Sequence, residues 1–204
     1  MAHEARETSI SRRSWLLASL ALPLSRAFAA DAISAKYDGD TLRALAPSLH
    51  FLTGKTLDRL KDANTVAVIA NLSLFAIDQP TPFRDAAAKF EISYDLWEET
   101  YKAIALPSRR AKAGLTATQA EVWCLENLTV SAAGLAADRP LFLRLELRAT
   151  DSKELSAVMA DPLGALVELF ARKAKPGDPH WGPYQSGTFR LADLRVPGRG
   201  ARNG

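Results

Sequence analysis

The sequence predicts a mainly β, α+β domain: an antiparallel sheet with a few helices packed at one side or end. Two alternating rows and one apolar run carry that expectation. Phe90, Ile92, Tyr94 and Leu96 alternate with Glu91, Ser93 and Asp95. Leu141, Leu143, Leu145 and Leu147 alternate with Phe142, Arg144, Glu146 and Arg148. Successive strand side chains point to opposite faces, so each row reads as a strand with one buried and one wet side. Val66, Val68, Ala70, Leu72 and Leu74 form a third row. Ala67, Ile69 and Phe75 between or beside them are also apolar, which predicts a strand covered on both sides.

The chain opens on a different pattern. Ser11-Arg12-Arg13-Ser14-Trp15-Leu16-Leu17 places paired arginines before an aromatic and two leucines, Trp15 to Leu24 carries no charge, and Ala27-Phe28-Ala29 is small at both outer positions. A basic start, a short apolar run and a small-x-small exit are the parts of a secretory signal. The pair resembles the twin-arginine export signal, with Trp15 where Phe is usual and Leu17 where Lys is common. The run is far short of the ~20 residues that span a bilayer. Residues 1–29 are therefore expected to be a cleavable export signal, 30–195 a single globular domain and 196–204 a disordered tail. The mature protein is expected in a bacterial periplasm or outside the cell, with no membrane span.

Composition narrows the rest. The chain holds 26 basic and 23 acidic residues; removing the signal's four arginines and two glutamates leaves 22 and 21. A near-neutral domain without a basic stripe is a poor nucleic-acid binder, so no nucleic-acid partner is expected. Cys124 is the one cysteine. It excludes an internal disulfide, and among Trp123, Leu125 and Leu128 it reads as a buried, inert thiol.

Along the mature chain, further strands are expected at Leu42–Ala46, Leu49–Leu52, Thr100–Leu106 and Ser186–Leu194. Lys55–Lys61 reads as a short helix with Leu57 and Leu60 inward. Thr118-Gln119-Ala120-Glu121 reads as a capping box, the threonine capping backbone N–H groups and the glutamate reaching back. The helix it starts would bury Val122, Leu125 and Leu128. Asp161-Pro162 signals another helix start, with Leu163, Leu166, Val167 and Phe170 at helical spacing and Pro176-Gly177 as its stop. A helical turn around Lys153 to Val158 would precede it.

One stretch carries a family resemblance. It runs from Leu49 through Ala63, then Asn64 through Leu74, then Phe90-Glu-Ile-Ser-Tyr94 and Glu99-Thr-Tyr101. This layout resembles a family of bacterial exported proteins of unknown function. In that family a strand leads to a short helix, an apolar strand and a strand with a tyrosine pattern. A capped helix and an arginine-bearing strand come later; Thr118–Leu128 and Leu141–Arg148 would fill those places. The resemblance spans about Leu49 to Leu155. Arg84-Asp85-Ala86 stands where the family's strand usually ends in an Arg-Tyr-like pair. Members are often encoded near a nitrogen-regulation-type sensor histidine kinase, which implies a periplasmic accessory role linked to envelope sensing but establishes no activity.

No catalytic, cofactor or metal residues are assigned. A metal site needs several clustered ligands, whereas His50 and His180 are far apart in the chain. His50, in an expected strand, should face water or make one hydrogen bond; His180 falls in an expected loop. No Gly-x-Ser-x-Gly is present, and Glu98-Glu99 reads as a solvated turn. Asn71 and Asn127 head Asn-x-Ser/Thr triplets that a bacterial protein would leave unmodified. Gly198-x-Gly200 precedes no helix, so it is no phosphate cradle. Lys175 to Tyr184 holds three prolines and two glycines around Trp181, and reads as a stiff loop that either makes a contact surface or folds back over the sheet edge. The functional expectation is an exported, non-catalytic binding or accessory module, with an envelope protein or a lipid as its partner. An exported hydrolase-like enzyme is the first alternative. A small apolar-ligand carrier, with its cavity against the helix from Asp161, is the second.

Overall fold

The computed structural model describes residues 30–151 and 179–194. The expected export signal, the expected tail and both helical expectations between Lys153 and Pro176 lie outside the described residues, as does the cavity that the helix from Asp161 would have framed. The described residues are mainly β, with nine strands and three short helices: β1 (Ala30–Asp38), β2 (Thr41–Leu45), α1 (Lys55–Lys61), β3 (Val66–Ala76), β4 (Arg84–Asp95), β5 (Thr100–Leu106), β6 (Arg110–Leu115), α2 (Ala117–Glu126), β7 (Thr129–Ser131), β8 (Leu141–Asp151), β9 (His180–Ser186) and α3 (Leu191–Leu194). The strands form one sheet in the order β6-β5-β4-β3-β8-β9-β1-β2-β7. Pairing is antiparallel except between β9 and β1, which run parallel. Among these residues no helix is long and apolar enough to cross a membrane.

The alternating rows decide which side of the sheet is the core. Leu141, Leu143, Leu145 and Leu147 are each 0 % exposed, while Phe142, Arg144, Glu146 and Arg148 are half-buried. Phe90 and Ile92 are buried with them on β4. β3 runs between β4 and β8 and is buried along almost its whole length, as its apolar neighbours predict. On its outer side Ile69 lies in register between Lys89 and Arg148, and Lys89 is itself buried and paired with Glu91 at 3.0 Å. The other end of the sheet curls over: β7 packs across β3 and β4, and α2 packs against both β2 and β5. The core fills that fold, with Leu42, Val130, Leu72 and Leu145 in one cluster.

Several expectations need correction. Leu49–Leu52 is irregular rather than a strand, because the N–H groups of Phe51 and Leu52 are taken by a carboxylate and not by a neighbouring strand. Ser186–Leu194 is not a strand either. The strand comes earlier, as β9, and Leu191–Leu194 is a helical turn. The part of the expected loop from His180 to Tyr184 is thus sheet. Gly182 permits this, since its φ is +100° and an added Cβ would lie 2.7 Å from the Leu145 carbonyl oxygen. Pro183, which has no N–H to give the ladder, falls within the register irregularity between Leu145 and Leu147. The capping box is Thr116 with Gln119: the Thr116 hydroxyl accepts from the Gln119 N–H and the Gln119 side chain accepts from the Thr116 N–H. Val122 accordingly faces water, while Ala120, Cys124 and Leu125 are buried. Leu96 falls beyond the end of β4 and is exposed.

Candidate functional site

The β4–β5 connection is the most exposed apolar feature among the described residues. It occupies residues 96–99, between Asp95 and its register partner Thr100. Asp95 builds the turn. One of its carboxylate oxygens, Oδ1, accepts from the N–H groups of Trp97 at 2.9 Å and Glu98 at 3.1 Å. A carboxylate closing its own following turn is a strong local constraint on the backbone. Glu99 completes the reversal with φ +52°. Trp97, on this fixed turn, is 95 % exposed, and Leu96 beside it is 54 % exposed. Asp95, Glu98 and Glu99 are exposed around them. The result is an apolar knob within an acidic ring. Behind it Tyr94 and Tyr101 pair across the strands with ring centroids 4.8 Å apart, and their packing anchors the hairpin to the core. The expected solvated turn at Glu98-Glu99 is present.

A second constellation joins residues 71 positions apart. Glu121 points inward from α2 and is 3 % exposed. Its Oε1 accepts from Phe51 N–H at 2.6 Å and Leu52 N–H at 2.7 Å, and its Oε2 lies 2.9 Å from His50 Nδ1. Three donors thus satisfy a carboxylate that would otherwise be costly to bury. His50 is on an irregular segment rather than a strand, and its side chain is half-exposed. With Nδ1 held, the imidazole has a fixed orientation and its Nε2 remains for other contacts. The one sequence signal for this pair is Glu121 itself, whose expected role in a capping box passes to Gln119 once the box starts at Thr116.

The other candidates stand apart. His180 pairs with Arg148 while the next residue, Trp181, pairs with Leu147 on the core side, so His180 faces the opposite side of the sheet. Its imidazole is held below its usual pKa by burial and then by Arg148, with Glu146 opposing. Trp181 meets Phe51 edge-on at 6.1 Å and Tyr184 also packs against the core, both half-buried on β9 rather than on a contact loop. Cys124 is 1 % exposed; burial, with the Glu121 charge behind it, pushes its thiol well above the ordinary range. No group of three or more potential metal ligands occurs among the described residues.

No family model, no curated protein and no solved structure matches this chain.

Proposed function

We propose that this chain is an exported, non-catalytic binding or accessory module of the bacterial envelope, and that it meets a protein partner through the Trp97 knob. The observation that carries the proposal is the 95 % exposure of Trp97 on a turn fixed by Asp95. A tryptophan can bury ~200 Å² on docking, worth roughly 5 kcal/mol gross at about 25 cal/mol per Å². Because the turn is already ordered, little of that gain is lost to fixing the loop. Tryptophan is also the residue type most often found at the energetic centre of interfaces. The acidic ring of Asp95, Glu98 and Glu99 selects among partners. It complements an apolar socket with a basic rim and is repelled by an anionic lipid surface. The paired-arginine leader supports an extracytoplasmic setting, and the family resemblance supports a role linked to envelope sensing.

The test is capture from envelope extract with the wild-type protein and Trp97→Ala side by side. A discrete partner held by wild type and lost by Trp97→Ala, at an unchanged denaturation midpoint, is the expected result. Equal capture by both would refute the knob as the contact, and binding to anionic vesicles would move the partner to lipid. For the route, a reporter fused to residues 1–29 should stop being exported when Arg12 and Arg13 become lysine.

One observation favours the enzymatic alternative. His50, oriented by buried Glu121, has the geometry of a histidine held for proton transfer. A hydrolase screen in which turnover depends on His50, with His50→Ala inactive but folded, would establish that reading in place of the first.

A further inference from the structure

β6 ends the sheet, and no strand among the described residues pairs with its outer edge. Residues Arg110 to Gly114 are exposed along it. An open edge offers unpaired backbone N–H and C=O groups, which a chain can template upon. The side chains give this edge two unlike sides. Arg110 pairs with Ala105 and Lys112 with Ala103, both buried residues of the core side. Ala111 pairs with Ile104 on the other side. There Ala111, Ile104, Leu106 and Pro107 form an apolar depression flanked by Lys102, Arg109 and Glu91, the last already paired with Lys89 at 3.0 Å. Among the described residues, none of Arg109, Arg110 and Lys112 has an ion-pair partner.

We infer that the β6 edge binds an extended acidic segment of a partner protein by strand addition. A strand laid along β6 shares its alternation. Acidic residues would lie beside Arg110 and Lys112, and an apolar residue between them would lie beside Ala111 and over the depression. A second copy of this chain is a poor occupant, because edge-to-edge pairing would set Arg110 and Lys112 against like charges. The register irregularity between Tyr101 and Ala103, with Gly114 at φ +70°, ends the regular edge, so the segment read is short. The inference does not rest on the Trp97 knob, which uses other residues.

The probe is a blocked heptapeptide alternating glutamate and valine. Its controls are a lysine–valine counterpart and a glutamate–valine peptide with alternate backbone nitrogens methylated. The expected result is that the acidic peptide binds the purified protein at least about tenfold tighter than either control and slows amide exchange in residues 110–113. The double variant Arg110→Glu with Lys112→Glu should reverse the preference toward the lysine peptide, an outcome that an unfolded variant could not produce. Trp97→Ala should bind the acidic peptide as wild type does. The inference is overturned if the methylated peptide binds equally well, which would mean bare charge attraction. It is equally overturned by absent binding, by unprotected β6 amides, by an unreversed preference, or by loss of binding in Trp97→Ala, which would assign the peptide to the knob.

Discussion

His50 Nδ1 stands 2.9 Å from Glu121 Oε2, and the companion oxygen of the same carboxylate takes the N–H groups of Phe51 and Leu52. One side chain of α2 therefore holds a three-residue stretch of irregular chain against the core. Removing the carboxylate strands two buried N–H groups. Glu121→Ala should cost roughly 3–5 kcal/mol of unfolding free energy, Glu121→Gln less because it keeps one oxygen, and His50→Ala under about 1 kcal/mol since the ring is half-exposed. Chemical denaturation of the three variants checks the order; a His50→Ala loss as large as that of Glu121→Ala would mean that the imidazole, not the backbone pair, holds the loop.

The position of the helix cap gives a second prediction. Thr116→Ala should destabilise by about 1 kcal/mol, whereas Thr118→Ala, on the exposed first turn, should stay within about 0.5 kcal/mol. Thermal or denaturant unfolding of the two variants distinguishes the observed cap from the one that Thr118 and Glu121 suggest.

The exposed knob predicts a spectroscopic asymmetry. Trp97 is almost fully solvated, while Trp123 meets Phe90 edge-on at 6.4 Å and Trp181 packs on Phe51. Trp97→Phe should remove most of the acrylamide-quenchable, red-shifted emission of a protein made without residues 1–29. It should leave the unfolding midpoint unchanged.

His180 ties stability to pH. Although His180 is exposed, partial desolvation of its ring and then Arg148 hold its pKa below the ordinary 6.5, so the unfolded chain takes up the proton first as pH falls. The contribution is complete above about 6.5 and is lost as pH drops through the depressed folded value. A His180→Gln variant should show a flatter stability profile across that window, measured by denaturation at stepped pH.

Cys124 should behave as a core residue. The buried thiol, held protonated, should resist a thiol reagent in the native protein and react at once in denaturant. Labelling kinetics against denaturant concentration would then report opening of the α2 packing. Prompt native labelling would place α2 off the core.

The strands easiest to read were those with large alternating side chains. β8 follows its leucines and β3 its double-sided apolar run, because burial on one or both faces leaves a period of two in the sequence. β6 and β9 leave no such trace. Arg-Ala-Lys-Ala-Gly carries nothing to bury, since an edge strand is fixed by its neighbour's backbone. His-Trp-Gly-Pro-Tyr carries turn residues that the adjoining backbones of β8 and β1 override. β1 has one strongly apolar inward residue, Ile33, too little for a period of two to show. The site followed the same division. The acidic turn at Glu98-Glu99 was legible because it is local. The Glu121 contact with His50 was not, because it depends on how α2 is set against a segment some 70 residues away.

The parallel pairing of β1 with β9 has a consequence for how the domain is made. β1 lies between β2 and β9, so its inner neighbour exists only after synthesis has passed residue 186. Until then β1 and β8 present bare edges, and the closing contact spans most of the sequence, a slow step for any polypeptide. A nascent or truncated chain lacking β9 would be an open-sided intermediate, with two strand edges left to template on other chains.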